Sequence, residues 1–456
     1  MEARRTEEAP PSGGGLDSYF KLTERGTSVG TEVRAGVTTF LVMAYIIFLN
    51  PVILSNMFPE AERGAFIVAA SAGTALLAGV LTIAMGLVSN YPIALAAGLG
   101  INAIVAFTLV LGLGLSPAGA MGVIVLEGLI VLILVIVGLR EAIMDAVPLA
   151  LKRAIGVGIG LFILFIGFVD GGLIGAGTPV VQFVFPNATP QWLFLLGLLL
   201  TIVLFVMKVR AALLISIIII SILAFLLGET ELPTDMSFVP DFSTLGQFDV
   251  TEVWRIGALA AALTIFAIML TDFFDTMGTA TAIAEQAGLA TEDGRVPGIN
   301  RVLLVDSVAA AAGGAAGISS NTSYIESAAG VAEGGRTGLT AVVTGVLFLL
   351  AVFVTPLASM VPFAATGPVL VVVGYLMATL IKDIDFADVE EGLPALLGIV
   401  LMPLTYNITV GIGAAFVTYV LVKLVRGKAG AVHPLLWVVS LAFIVYFAQA
   451  WLNSVI

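Results

Sequence analysis

The 456-residue chain contains no cysteine and one histidine, and only 11% of its residues are charged. Without cysteine there are no disulfides, thiolate metal sites or thiol nucleophiles. A lone His433, in a basic loop, argues against multi-histidine metal sites and histidine proton relays. No cofactor, no metal and no nucleic-acid partner is expected. The net charge is −12, and much of it falls in two connectors, Glu229–Glu252 and Lys382–Glu391, which read as solvated loops.

What the chain has in abundance is apolar surface: 59% of residues are hydrophobic and the mean hydropathy is +1.12. A soluble domain could not hide so much. Runs such as Leu129–Val137, Leu193–Val206 and Leu213–Leu227 are cores of segments suited to a bilayer. Alternation of apolar and polar residues is absent, which excludes a β-barrel. The expected class is an all-α polytopic membrane protein, with the lipid bilayer as its first partner. Residues 1–30, with Pro10, Pro11 and three consecutive glycines, lack the apolar core of a signal peptide and read as a disordered cytoplasmic tail.

Fourteen apolar segments can be counted: 34–54, 64–88, 93–112, 117–138, 146–168, 191–207 and 210–227, then 256–281, 298–316, 318–333, 337–359, 362–381, 391–407 and 408–425. The polar stretch 228–253 between the two sets reads as an extracytoplasmic connector. A further run, 433–452, is an additional span or an interfacial helix. With the N-terminus cytoplasmic and the segments alternating, only Arg63 and Arg255 of the 19 basic residues fall outside. That is a strong positive-inside bias, and one missed helix would scramble it.

Seven segments per half inverts the second half relative to the first. Internal echoes support two inverted repeats. Ala96-Ala97-Gly98-Leu99-Gly100-Ile101-Asn102 returns as Ala315-Ala316-Gly317-Ile318-Ser319-Ser320-Asn321, 219 positions on. Val147-Pro148 and Val361-Pro362 are offset by 214, and Thr39-Phe40 with Met43 matches Ile265-Phe266 with Met269 at 226. The first echo interrupts the third and tenth segments with small and polar residues. Paired broken segments in two halves of a membrane chain point to a transporter's binding site.

Acids at membrane depth are costly and usually functional. Here they are Glu127, Asp272, Asp275, Asp306 and Glu326. Asp272 and Asp275 share a helix face, with Thr279 one turn beyond Asp275. Two neighbouring carboxylates in low dielectric cannot both ionise cheaply, which makes them candidates to hold a coupled proton. Glu127 and Asp306 read as caps or tethers of the broken segments, and Lys152 and Arg153 as interfacial anchors. The tenth segment, Gly317 to Ser327, suits an extended stretch followed by a half-helix starting near Ser323 to Glu326. Its partner is expected around Gly98–Asn102, so that two helix N-termini meet near the midplane. Phe273, Phe274, Tyr324 and Phe107 are in reach in sequence to stack on a flat ligand, although helix packing is the commoner role of such rings.

Three stretches carry a family resemblance: Arg34 to Pro51 (R-A-G-V-T-T-F-L-V-M-A-Y-I-I-F-L-N-P), Asp272 to Thr279 (D-F-F-D-T-M-G-T) and Asn321 to Ser327 (N-T-S-Y-I-E-S). From about residue 17 to the C-terminus the chain resembles the AzgA-like adenine/guanine/hypoxanthine permeases of the nucleobase–ascorbate transporter superfamily. The resemblance implies a core domain (31–138 and 254–359) and a gate domain (146–227 and 362–425), with 433–452 outside both. It implies symport of purine nucleobases with protons, in the plasma membrane, and a homodimer as a plausible assembly. It also implies that Asp275, Glu326 and Asn102 line the substrate site. With the residues around them, the expected substrate-binding set is Glu326, Asp275, Asn102, Asn321, Thr279, Phe274, Gly100 and Ser323, and the proton-coupling set is Asp275, Asp272 and Glu326. Ile104 stands where relatives tend to carry an aromatic.

A glutamate accepts two adjacent N–H groups of a purine edge, which fits this assignment. Two rival ligands keep the fold: a uracil or xanthine type of nucleobase, or an anion. Converging helix N-termini attract anions, but Glu326 and Asp275 would repel one. An intramembrane enzyme is disfavoured, because Asp272 and Asp275 lie on one helix and no His or Cys ligand is within the membrane.

Overall fold

The computed structural model describes residues 15–139, 146–178, 180–232, 239–291 and 296–455. The fold is all-α apart from short strands. By length and composition, nine of the described helices are apolar enough to cross a membrane. Each of the fourteen apolar segments falls on a helix or on a strand followed by a helix, and the run at 433–452 is one helix, Pro434–Val455. The first segment is split into Val29–Met43 and Ile46–Ser55. Pro51, inside the second piece, has no N–H to give to the helix ladder.

The helices form two groups. Segments one to four pack with segments eight to eleven, and segments five to seven with twelve to fourteen. The C-terminal helix lies against the fourteenth segment. Close contacts within each group rest on small residues, as expected where lipid supplies no hydrophobic drive between helices. In the second group, a Cβ on Gly160 would lie 2.8 Å from the carbonyl oxygen of Gly374, and a Cβ on Gly374 would collide with that of Gly160. In the first group, Gly86 and Gly338 press together in the same reciprocal way.

These contacts define the repeat. Gly160 and Gly374 are 214 apart, as are the starts of helices Leu149–Asp170 and Phe363–Ala378. In the first group the buried strands Leu95–Ala97 and Asn321–Ser323 begin 226 apart. The sequence offsets of 214 and 226 therefore mark structural equivalents. The A-A-G-x-x-x-N echo at 219 does not. Its first copy spans a strand and the helix after it, whereas its second copy begins at the end of helix Ile299–Ala315 and runs through a turn. Small residues recur there because both stretches are tightly packed, and Glu326 lies at the level of Gly100 rather than of an asparagine.

The two strands pair antiparallel, Leu95 opposite Ser323 and Ala97 opposite Asn321. Gly98 N donates to Ser320 O and Tyr324 N to Ala94 O, each at 2.9 Å. Extended backbone buried at this depth must satisfy its polar groups inside the protein, and this ladder does so. Gly317 (φ +71) and Ser319 (φ +73) adopt left-handed conformations that turn the chain from the ninth helix into the strand. The antiparallel crossing is what a two-fold inversion of the halves requires.

Three polar regions are more ordered than their composition suggested. Residues 1–14 of the expected tail lie outside the described residues, but Gly15–Phe20 is helical, and Phe20 and Leu22 are buried with Leu339. Of the two acidic connectors, the first packs over helix ends. Glu252 accepts from Ser116 N at 2.9 Å and from its hydroxyl, capping the fourth segment, and Asp249 N donates to Ala118 O. In the second, Glu390 is buried between Lys423 and Lys428, both at 2.6 Å. At the opposite end of the first group, buried Glu32 caps the eleventh segment, accepting from Arg336 N (2.9 Å), Thr340 N (3.1 Å) and Thr340 Oγ1 (2.6 Å).

Candidate functional site

The strand crossing fixes two short helices, Leu99–Ala103 and Ser327–Ala332, neither capped by a side chain. Glu326 is the residue immediately before the second helix, and its Oε1 accepts a 2.6 Å hydrogen bond from Tyr45 Oη. Tyr45 sits in the break of the first segment and is fully buried. It is the lone hydroxyl between Leu41 and Leu49, which is what marks it in the sequence.

Asp275 comes to this point from the eighth segment, helix Ala258–Gln286. It lies within electrostatic reach of Glu326, Asp306 and Tyr45. Although helices surround it, its side chain is accessible, as are Gly278, Ala282 and Glu285 along the same face. That stripe leads from Asp275 towards the basic end of the molecule, where Arg25, Arg301 and Arg336 lie. Phe274 is half-buried, and the Nζ of Lys152 stands 5.2 Å from the centre of its ring. Lys152 belongs to the other helix group, so it reaches across between the two rather than only anchoring the fifth segment.

Asp306 is the tether of the tenth segment. Its Oδ1 accepts from Ser323 N (2.9 Å) and Ser323 Oγ (2.8 Å), and its Oδ2 from Thr276 Oγ1 (2.7 Å). Thr276 also meets Thr322 at 2.9 Å. One carboxylate thus joins the ninth helix, the eighth helix and the strand leading to Glu326.

The expected site residues separate into two sets. Asp275, Glu326, Phe274 and Gly100 are at least partly accessible. A Cβ on Gly100 would lie 2.9 Å from Ile159 of the other group, so the backbone approaches closely there. Asn102, Asn321, Ser323, Thr279 and Asp272 are buried. The Asn321 amide lies against Gly313 of the ninth helix, and neither Asn102 nor Asn321 has a side-chain hydrogen-bond partner. Of the other rings near these residues in sequence, Phe273 is packed with Val131 and Met269, and the Tyr324 hydroxyl donates to Ala97 O.

Beyond Gly100, towards the end that carries Arg63 and Arg255, aromatic rings fill the space between the groups. Phe107 meets Phe162 and Tyr406 at 6.0 Å, Phe162 meets Tyr406 at 5.6 Å, and Phe165 meets Tyr406 at 5.4 Å. Two cavities lie away from these carboxylates. One of about 820 Å³ is lined by residues including Tyr19, Arg25, Tyr91 and Arg301. The other, about 330 Å³, lies at Gly112–Leu115 beside Arg255. Neither includes the groups that converge around Glu326.

Three kinds of likeness bear on this arrangement. A model described as a permease family (Xan_ur_permease) matches residues 30–446. The guanine/hypoxanthine permease PbuG of Bacillus subtilis (strain 168) is 39% identical over 444 residues, 95% of this chain and 99% of that one. The adenine permease AdeP of Escherichia coli (strain K12) is 38% identical over 434 residues, 94% of this chain and 95% of the relative. Among solved structures, the transmembrane domain of the cyanobacterial bicarbonate transporter BicA superposes with a TM-score of 0.61 at 14% identity, covering 85% of this chain and 97% of that domain. Murine Slc26a9, an anion transporter in an inward-facing state, gives 0.60 at 10% identity, over 93% and 74%. At such identities the structural likeness speaks for the fold alone.

Proposed function

From a chain that belongs to the Xan_ur_permease family, and is a transporter rather than an enzyme, we propose import of purine nucleobases by proton symport. The observation that carries this reading is the convergence of Glu326 and Asp275 beside the buried strand crossing, on an opening between two helix groups. Hypoxanthine, guanine or adenine presents N–H donors on one edge of a flat neutral ring. Glu326, oriented by Tyr45, accepts from that edge. Phe274 offers a ring face beside it. Asp275 carries the coupled proton. Asn102, Asn321, Thr279 and Ser323 shape the wall behind this contact, and Asp272 supports Asp275 from the same helix.

The group containing the strand crossing acts as core and the other as gate. Their relative motion exposes the site to each side in turn. The aromatic cluster of Phe107, Phe162 and Tyr406 closes one side while the accessible stripe below Asp275 opens the other. The basic end faces the cytoplasm, because positive residues are retained there. The chain thus lies in the plasma membrane with a cytoplasmic N-terminus, and assembly as a homodimer belongs to the same reading. An anion as cargo would meet two acids at the opening and no compensating base on the tenth segment.

Uptake of labelled hypoxanthine, guanine, adenine, xanthine and uracil tests the reading. It expects purine uptake that collapses with the pH gradient, persists without Na⁺, and is lost in Glu326→Gln and Asp275→Asn. Wild-type rates in both variants would remove these residues from the mechanism.

A further inference from the structure

Glu127 is an acid that the transport reading above leaves without a role. It is the single ionisable residue of helix Pro117–Val137. Its side chain is fully buried, and neither carboxyl oxygen has a hydrogen-bond partner. It lies where the fourth segment meets the ninth and the eighth. Its neighbour Gly128 abuts the backbone of Ala311, and Val131, one turn on, packs with Met269 and Phe273.

Across this interface Glu127 is within electrostatic reach of Asp306. The two acids are furnished in opposite ways. Asp306 receives three donors, from Ser323 N, Ser323 Oγ and Thr276 Oγ1. Glu127 receives none. Donors gathered on one carboxyl suit its ionised form, because a carboxylate is a pure acceptor. A dry carboxyl without a donor avoids a large desolvation cost only by holding a proton. Neighbouring acids with such contrasting surroundings divide the charged and neutral roles between them.

We propose that Glu127 is a proton-holding residue whose charge state sets the strength of the Asp306 tether on Ser323, and through it the position of Glu326. The inference rests on the nucleobase–proton reading above. With the O–H bond intact, Asp306 holds the strand at Ser323, three residues before Glu326. When that bond breaks and the proton leaves to water, two carboxylates repel one another across the interface and the tether loosens. By linkage, a base bound at Glu326 and a proton on Glu127 strengthen one another.

Few other charges intervene. The ninth segment contributes Asp306, and the eighth contributes Asp272 and, nearer the opening, Asp275. The turn Glu252–Ile256 brings Glu252 and Arg255 to the far end of the fourth segment, where Glu252 is held by Ser116 and Arg255. Asp249 approaches at Gly122. The adjoining stretch Ile104–Gly112 has no ionisable side chain.

The test is purine binding to purified wild type and Glu127→Gln, from acidic to mildly alkaline pH, with folding checked by thermal melting. Wild-type affinity is expected to fall as pH rises. Glu127→Gln should keep the acid-side affinity and lose about tenfold of that fall, a typical coupling between sites. A wild-type pH profile in Glu127→Gln overturns the inference while leaving the transport reading intact. Wild type that binds no nucleobase overturns both. If Glu127→Gln does not fold, Glu127→Asp, which keeps the acid but moves it, must shift the midpoint of the profile. An unmoved midpoint also overturns the inference.

Discussion

The Tyr45 hydroxyl donates a 2.6 Å hydrogen bond to Oε1 of Glu326, linking residues 281 positions apart in the chain. It joins the break in the first segment to the start of the short helix in the tenth. Both residues belong to interruptions of otherwise apolar segments, so the irregular backbone of one places a donor on the carboxyl of the other.

That bond yields a direct prediction. Tyr45→Phe keeps the ring and its packing but removes the donor, leaving Glu326 free to rotate. A hydrogen bond to a charged group contributes about 1.5 kcal/mol or more. Purine affinity measured by titration should therefore weaken by about tenfold, with little change in the melting temperature. Unaltered affinity would show that Glu326 needs no orientation by Tyr45.

The glycine contact between the fifth and twelfth segments gives a second. In Gly374→Ala the new methyl meets the carbonyl oxygen of Gly160, which backbone movement alone can relieve. Overpacking of this kind costs about 1–3 kcal/mol. The variant should melt at a lower temperature in detergent. Gly64→Ala, where a Cβ meets open space, serves as the silent control.

A third concerns acid. Hydrogen bonds from the Ser116 side chain and backbone hold Glu252 below the usual glutamate range. A folded value below the unfolded one means that the stabilisation is fully present above the ordinary value of about 4.3. It is lost as pH falls through the folded value. Glu252→Gln should melt below wild type at neutral pH, and the two should converge in strong acid. A constant difference across the range would mean that the Glu252 charge is immaterial.

The sequence by itself settled the solvent and the element type. Apolar runs of bilayer length leave no alternative to helices, and basic residues collect at one end because crossing the membrane costs them most. It also exposed Asp275 and Glu326, since an acid inside an apolar run stands out against its surroundings. The tertiary structure alone decided which of the neighbouring polar residues reach the opening. Asn102 and Asn321 look equivalent along the chain, yet the strand pairing places Leu95 opposite Ser323 and sets the repeat at 226 instead of 219. Tyr45 and Lys152 acquired their partners only through contacts between segments distant in sequence, and Asp306 acquired its partners from the segments on either side of its own. Hydrophobicity is additive along a chain and can be read locally. Hydrogen-bond partnership depends on which backbones approach, and that is fixed only when the two halves close on each other.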